Sequence, residues 1–137
     1  LCNEEFYVFN DVIYSRSFIR PFLIRTLHNF INNFNQSYRL IQVGGENEID
    51  DSKIDKNLKI VNLRGVINIS ELFFLIGNPN CKGYIGFDNA IMHIALFFKK
   101  KAFVKFRGRF LKGNRDFHFK YVNCAVGEYS NQYIRYI

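Results

Sequence analysis

The sequence has no apolar run long enough to cross a membrane. The longest, "LFFLIG" at 72–77 and "IALFF" at 94–98, fall far short of the roughly 18 residues that a spanning helix needs. It also lacks a C-x-x-C pair. Cys2, Cys81 and Cys124 are odd in number, far apart and without a histidine at ligand spacing, which argues against structural zinc and for a reduced, cytoplasmic protein. There is no initiator Met, no basic-then-apolar leader and no small-residue cleavage site, so the 137 residues are expected to be a piece of a longer protein. Neither an internal repeat nor a linker interrupts them. Acids are scarce in one stretch: between Lys99 and Lys120 nine Lys or Arg stand against Asp116 alone, whereas Glu46, Glu48, Asp50, Asp51 and Asp55 gather in an acidic loop.

What is present is enough for a core. With 48% apolar and 23% charged residues, the composition is that of a folded globular protein, and 1–137 is expected to be a single domain.

The order of elements follows from periodicity. "EFYVFN" at 5–10 reads as a buried strand that ends at a loop. From Ser17 to Phe34 the apolar residues Phe18, Phe22, Leu23, Leu27, Phe30, Ile31 and Phe34 recur at three and four, which predicts a helix with Pro21 tolerated near its first turn. "YRLIQV" at 38–43 predicts a second strand stopping at Gly44-Gly45, where the backbone is free to turn or to approach a ligand. "LKIVNL" at 58–63 predicts a third. Asn68 and Glu71 form a capping-box pattern that opens a helix through Ile76, closed by Gly77, Asn78 and Pro79. "GYIGF" at 83–87, a helix from Asn89 to about Phe98 and "AFVKF" at 102–106 then alternate tightly as β-α-β. Beyond Phe106 only a basic loop, a short strand near 119–123 and a terminal helical turn are expected. Strands alternating with helices predict an α/β fold, a Rossmann-like parallel sheet with helices on both faces, and ligands at the carboxyl ends of its strands.

"GYIGFDNAIMHIAL" at 83–96 places an acid and an imidazole in an otherwise apolar run. Asp88 stands where strand becomes helix, so its carboxylate can cap the helix by accepting from backbone N–H groups. His93 is four residues after Asn89 and leans back toward the strand ends. A lone histidine on an apolar helix is more often a core residue. Here the N–H groups of Asn89, Ala90 and Ile91, with the helix dipole, make an anion site of the kind phosphates occupy, and His93 would sit one turn behind it.

These residues resemble a family. "LRGVINISELFFLI…GYIGFDNAIMHIALFFKKKAFVKF" is similar to the carboxyl-terminal half of bacterial lipopolysaccharide heptosyltransferases, glycosyltransferase family 9, and "YRLIQVGGENE" resembles the same family's strand and Gly-rich, Glu-bearing loop. The similarity runs from about Phe6 to Arg107. It is clearest at a strand followed by Asp-(Ser/Thr)-Gly-x-x-His, from which Asn89 and Ala90 depart. It implies the nucleotide-sugar-binding half of a GT-B glycosyltransferase, acting on a lipopolysaccharide or related glycan at the cytoplasmic side of the inner membrane, with no metal or other cofactor. By position, Asp88 would bond sugar hydroxyls, the N–H groups of Asn89 and Ala90 would hold phosphate, and His93 would support the turn or touch the donor. Gly45 lies in the Gly-rich loop, and Glu46 or Glu48 matches the family's acid near the ribose, Glu46 being the choice here. The family's phosphate-gripping loop corresponds to "NDVIYSRSFIRP", where Arg16 is the candidate and Arg20 its rival. Arg107 and Arg109 could meet donor diphosphate, a glycolipid or oligosaccharide acceptor, or an anionic membrane surface. The family's catalytic base lies on the other half, so none is named.

Two other classes fit parts of the same sequence. Basic charge and eighteen per cent aromatics suit a nucleic-acid-binding module, although most aromatics fall on core-facing positions, so no nucleic acid is expected as a partner. Another enzyme of the same double-Rossmann plan, such as a nucleotide-sugar epimerase, or a scaffold that has lost activity, shares the fold.

Overall fold

The structure is a computed structural model that describes residues 4–10, 20–34, 38–45, 57–105 and 130–137. In chain order the elements are β1 (Phe6–Asn10), α1 (Arg20–Asn33), β2 (Arg39–Gln42), β3 (Ile60–Asn62), α2 (Ile69–Gly77), β4 (Cys81–Phe87), α3 (Ala90–Phe97), β5 (Lys101–Lys105), a 3-10 turn at Ser130–Tyr133 and β6 (Ile134–Tyr136). All strand pairings are parallel, in the order β3-β2-β1-β4-β5-β6.

The two most continuous apolar runs, β1 and β4, become the middle of the sheet, because only a strand covered on both faces can afford to be apolar on both. Their side chains alternate between two cores. Phe6 and Val8 of β1, Tyr84 of β4 and Val104 of β5 pack against Leu72 and Ile76 of α2 and Met92, Ala95 and Leu96 of α3. Tyr7 and Phe9, with Ile85 and Phe87, face the opposite way onto Leu27 and Ile31 of α1. Each such fully buried aliphatic or aromatic side chain contributes roughly 1.5–3 kcal/mol. The fold is therefore an α/β parallel sheet with helices on both faces, as the alternation predicts.

The helices begin and end for local reasons. At the start of α2 the Asn68 side chain accepts from Glu71 N–H at 2.8 Å while Glu71 Oε1 accepts from Asn68 N–H at 2.9 Å, which is the capping box read from sequence. Where α2 passes α3, a Cβ on Gly77 would lie 3.0 Å from the Phe98 ring, so the missing side chain lets the ring in. α3 closes in a Schellman motif: Lys100 N–H donates to Ala95 O and Lys99 N–H to Leu96 O, with Lys99 in the left-handed region at φ 58°. Glycine fills that position at least cost.

Two expectations at the carboxyl end are revised. The terminal turn is 3-10, and it leads directly into β6, which pairs with β5 from Ala102↔Ile134 to Val104↔Tyr136 and has no counterpart in the sequence reading. Three residues are too few to set a period against the preceding turn. The strand expected near 119–123 lies outside the described residues.

Candidate functional site

The strand order reverses between β1 and β4, since the chain steps outward through β2 and β3 on one side and through β5 and β6 on the other. At such a point the connections after the two strands diverge and leave a crevice at their carboxyl ends. β1 ends there at Asn10, which pairs in register with Gly86 of β4.

Asn10 is fully buried and holds both neighbours. Its Nδ2 donates to Val43 O, just past β2, at 2.8 Å, and its Oδ1 accepts from Asn89 Nδ2 at 3.1 Å. Asn89 in turn caps α3, its Oδ1 accepting from Ile91 N–H at 3.0 Å and Met92 N–H at 3.3 Å from an extended backbone. The buried Tyr84 hydroxyl stands 2.9 Å from Phe87 O and 3.2 Å from Asn89 Oδ1, within donating distance of either. Gly86 makes room for this arrangement: a Cβ there would come within 2.2 Å of the Tyr84 hydroxyl and 2.5 Å of Asn10 O.

This geometry corrects two sequence-based assignments. The cap of α3 is Asn89 rather than Asp88, because β4 runs through Phe87 and the turn takes both Asp88 and Asn89 before the first helical residue, Ala90. The anion site is also smaller than expected. Asn89 Oδ1 takes up the N–H of Ile91, which leaves the backbone donors of Asn89 and Ala90 without an acceptor among the described residues. Ala90 is exposed, so its methyl group meets solvent rather than packed core.

Asp88 and His93 stand on either side of the capped turn, both half-buried. Burial lowers the His93 pKa below the ordinary imidazole value, and the Asp88 carboxylate pulls it partly back up. Near neutral pH His93 is thus an uncharged imidazole with a single ring N–H to donate.

At the same edge of the sheet, β2 leads into Gly44, whose φ of 142° is open only to glycine and whose carbonyl accepts from Gly65 N–H at 2.8 Å. Gly45 follows it, exposed at the same carboxyl edge. The other sequence candidates, Glu46, Glu48, Arg16, Arg107 and Arg109, lie outside the described residues.

Sequence reasoning missed Asn10, Tyr84 and Arg64. The signal for Asn10 is that three adjacent strands, "FYVFN", "RLIQ" and "IVN", each close on a carboxamide. Asn10 and Gln42 are fully buried, where an amide is costly unless it is bonded. Arg64 follows β3, its N–H and Nε both donating to Asn62 Oδ1 at 3.1 and 3.0 Å, which sets a cation at the carboxyl edge of the sheet.

Set against family models and against curated proteins, the sequence matches none. Among the described residues no three His, Cys, Asp or Glu side chains stand together as a metal would need, and no helix is long and apolar enough to cross a membrane.

Proposed function

We propose that this chain is the donor-binding half of a GT-B glycosyltransferase similar to the lipopolysaccharide heptosyltransferases, holding a nucleoside-diphosphate sugar in the crevice between β1 and β4. The observation that carries the reading is the start of α3: two backbone donors, Asn89 and Ala90, without an acceptor among the described residues, in a turn that Asn10 and Tyr84 hold rigid. Peptide N–H groups at a helix start, reinforced by the dipole, suit the oxygens of a diphosphate. Asp88 beside them accepts from sugar hydroxyls. An uncharged His93 adds a donor rather than a second charge, so its part is to orient the ligand.

In this reading sugar passes to the hydroxyl of a glycan or glycolipid acceptor and nucleoside diphosphate leaves. The proton of that hydroxyl needs a base within hydrogen-bond reach, expected on the other half of the enzyme, so this chain alone binds donor and transfers nothing. The departures at Asn89 and Ala90 are compatible with binding, because the phosphate contacts come from the backbone. A thermal-shift screen against nucleoside-diphosphate sugars carrying adenine, guanine or uracil tests the reading, since a ligand that binds only the folded state raises its melting temperature. A rise with at least one donor, lost on Asp88→Ala, is expected. No rise with any of them at millimolar concentration rejects it.

A further inference from the structure

From the start of α3 the carboxyl edge of the sheet runs low toward β3. It passes Asn10 and Val43, whose side chains are buried, and then Gly44 and Gly45, which have none. Gly65 N–H donates to Gly44 O at 2.8 Å, so the loop after β3 is tied to the loop after β2 and prolongs the same floor. Arg64 stands at its far end.

Register fixes how the two ends relate. Asn62 of β3, Gln42 of β2, Phe9 of β1 and Ile85 of β4 share one row across the sheet. Arg64 and Phe87 each lie two residues beyond that row, which sets Arg64 level with the turn of Asp88 and Asn89. In the order β3-β2-β1-β4 the two are three strands apart, about 14 Å at roughly 4.8 Å per strand. That span suits a nucleoside diphosphate laid along the edge, its outer phosphate at the N–H groups of Asn89 and Ala90 and its base at Arg64. The placement rests on the donor-site reading proposed above.

The chemistry of Arg64 then bears on the base. Its N–H and Nε both donate to Asn62 Oδ1, and the residue is half-buried, so the guanidinium is held in place. Nε is one of the five N–H donors of an arginine; the two terminal nitrogens carry the other four, and the group accepts nothing. A fork of donors matches a base edge with two adjacent acceptors. Guanine offers N7 and O6, and cytosine offers N3 and O2. Adenine sets its amino group beside N7 and N1, and the two carbonyl oxygens of uracil are separated by an N–H, so neither has such an edge. Phosphate suits the same fork, but in this pose both phosphates lie toward α3.

We infer that Arg64 selects the nucleotide, and that the donor carries a base with two adjacent acceptors, guanine or cytosine, rather than adenine or uracil. Lysine at this position keeps the charge and loses the planar fork, which separates base recognition from simple attraction to an anion.

Titration calorimetry of the intact protein with GDP, CDP, ADP and UDP tests it. Either GDP or CDP is expected to bind roughly tenfold or more tightly than ADP and UDP, and whichever of the two does so names the base. In Arg64→Lys binding is expected to persist while the preference falls to roughly threefold or less. The ratio is taken within each protein, so a change in stability cancels. Equal binding of all four, a preference for ADP or UDP, or an undiminished preference in Arg64→Lys overturns this inference and leaves the donor site standing. If none of the four binds at millimolar concentration, the donor reading falls and this inference falls with it.

Discussion

The two ends of α3 are closed in different ways. Its start depends on side chains from three places in the sequence: Asn10 on β1, Tyr84 on β4 and Asn89 in the turn, two of them 79 residues apart. Its end depends on backbone alone, through Lys99, Lys100 and the carbonyls of the last turn. A closure made of side chains bonded to one another loses a bond whenever one member is removed, whereas a backbone closure tolerates any side chain that its φ angle allows. The start is therefore the rigid end, and it is where the proposed ligand donors sit.

The largest break in this contrast is expected from Gly86→Ala. The added methyl meets the Tyr84 hydroxyl and the Asn10 carbonyl, the latter backbone that cannot swing aside, so a loss of about 3–4 kcal/mol should appear in denaturant unfolding. The comparable change at the other end, Gly77→Ala, meets only a phenylalanine ring and should cost far less.

Asn89→Ala comes next, at about 1–2 kcal/mol, because it removes the cap of α3 and the bond that ties the turn across to Asn10. Asn89→Asp keeps the capping oxygen but loses the donor to Asn10, and should fall between alanine and the parent. If Asp and Ala cost the same in chemical denaturation, the bond across to β1 is what matters and the cap is not.

At the far end the sign reverses. Lys99→Gly relieves a left-handed lysine and should raise stability by about 0.5–1 kcal/mol, read as a higher melting temperature.

The smallest effect is that of pH. Because burial holds the His93 pKa below its unfolded value, the unfolded chain binds the proton more readily, and stability rises with pH through the window between the two values. The contribution is complete above the ordinary imidazole pKa of about 6.5 and is lost as pH falls below it toward the folded value. His93→Gln should flatten that slope in melting curves taken from mildly acidic to neutral pH; an unchanged slope would place the titration elsewhere.

The same contrast explains what could be read in the sequence. The capping box of Asn68 and Glu71 was legible because both partners lie within one turn. So were β1 and β4, whose unbroken apolar character marks strands covered on both faces. Strand order was not legible, nor was the role of Asn10, which looks like the first loop residue after a strand until β4 is laid beside it. Asp88 and Asn89 are adjacent residues of the same capping type, and only the point at which β4 stops decides between them. The short β6 lacked the length to declare a period. At the candidate site, Asp88, Asn89, Ala90 and His93 stand in one local run, whereas the bond that ties Asn89 to Asn10 spans 79 residues and has no local signal.

The most direct measurement is amide NMR of the nitrogen-labelled protein, titrated with a nucleoside-diphosphate sugar. The largest shifts are expected at the N–H groups of Asn89 and Ala90, with smaller ones at Gly44 and Gly45 at the same edge of the sheet, and no such shifts from the free sugar. Shifts confined to other parts of the chain, or no shift at saturating donor, would contradict a donor site at the start of α3.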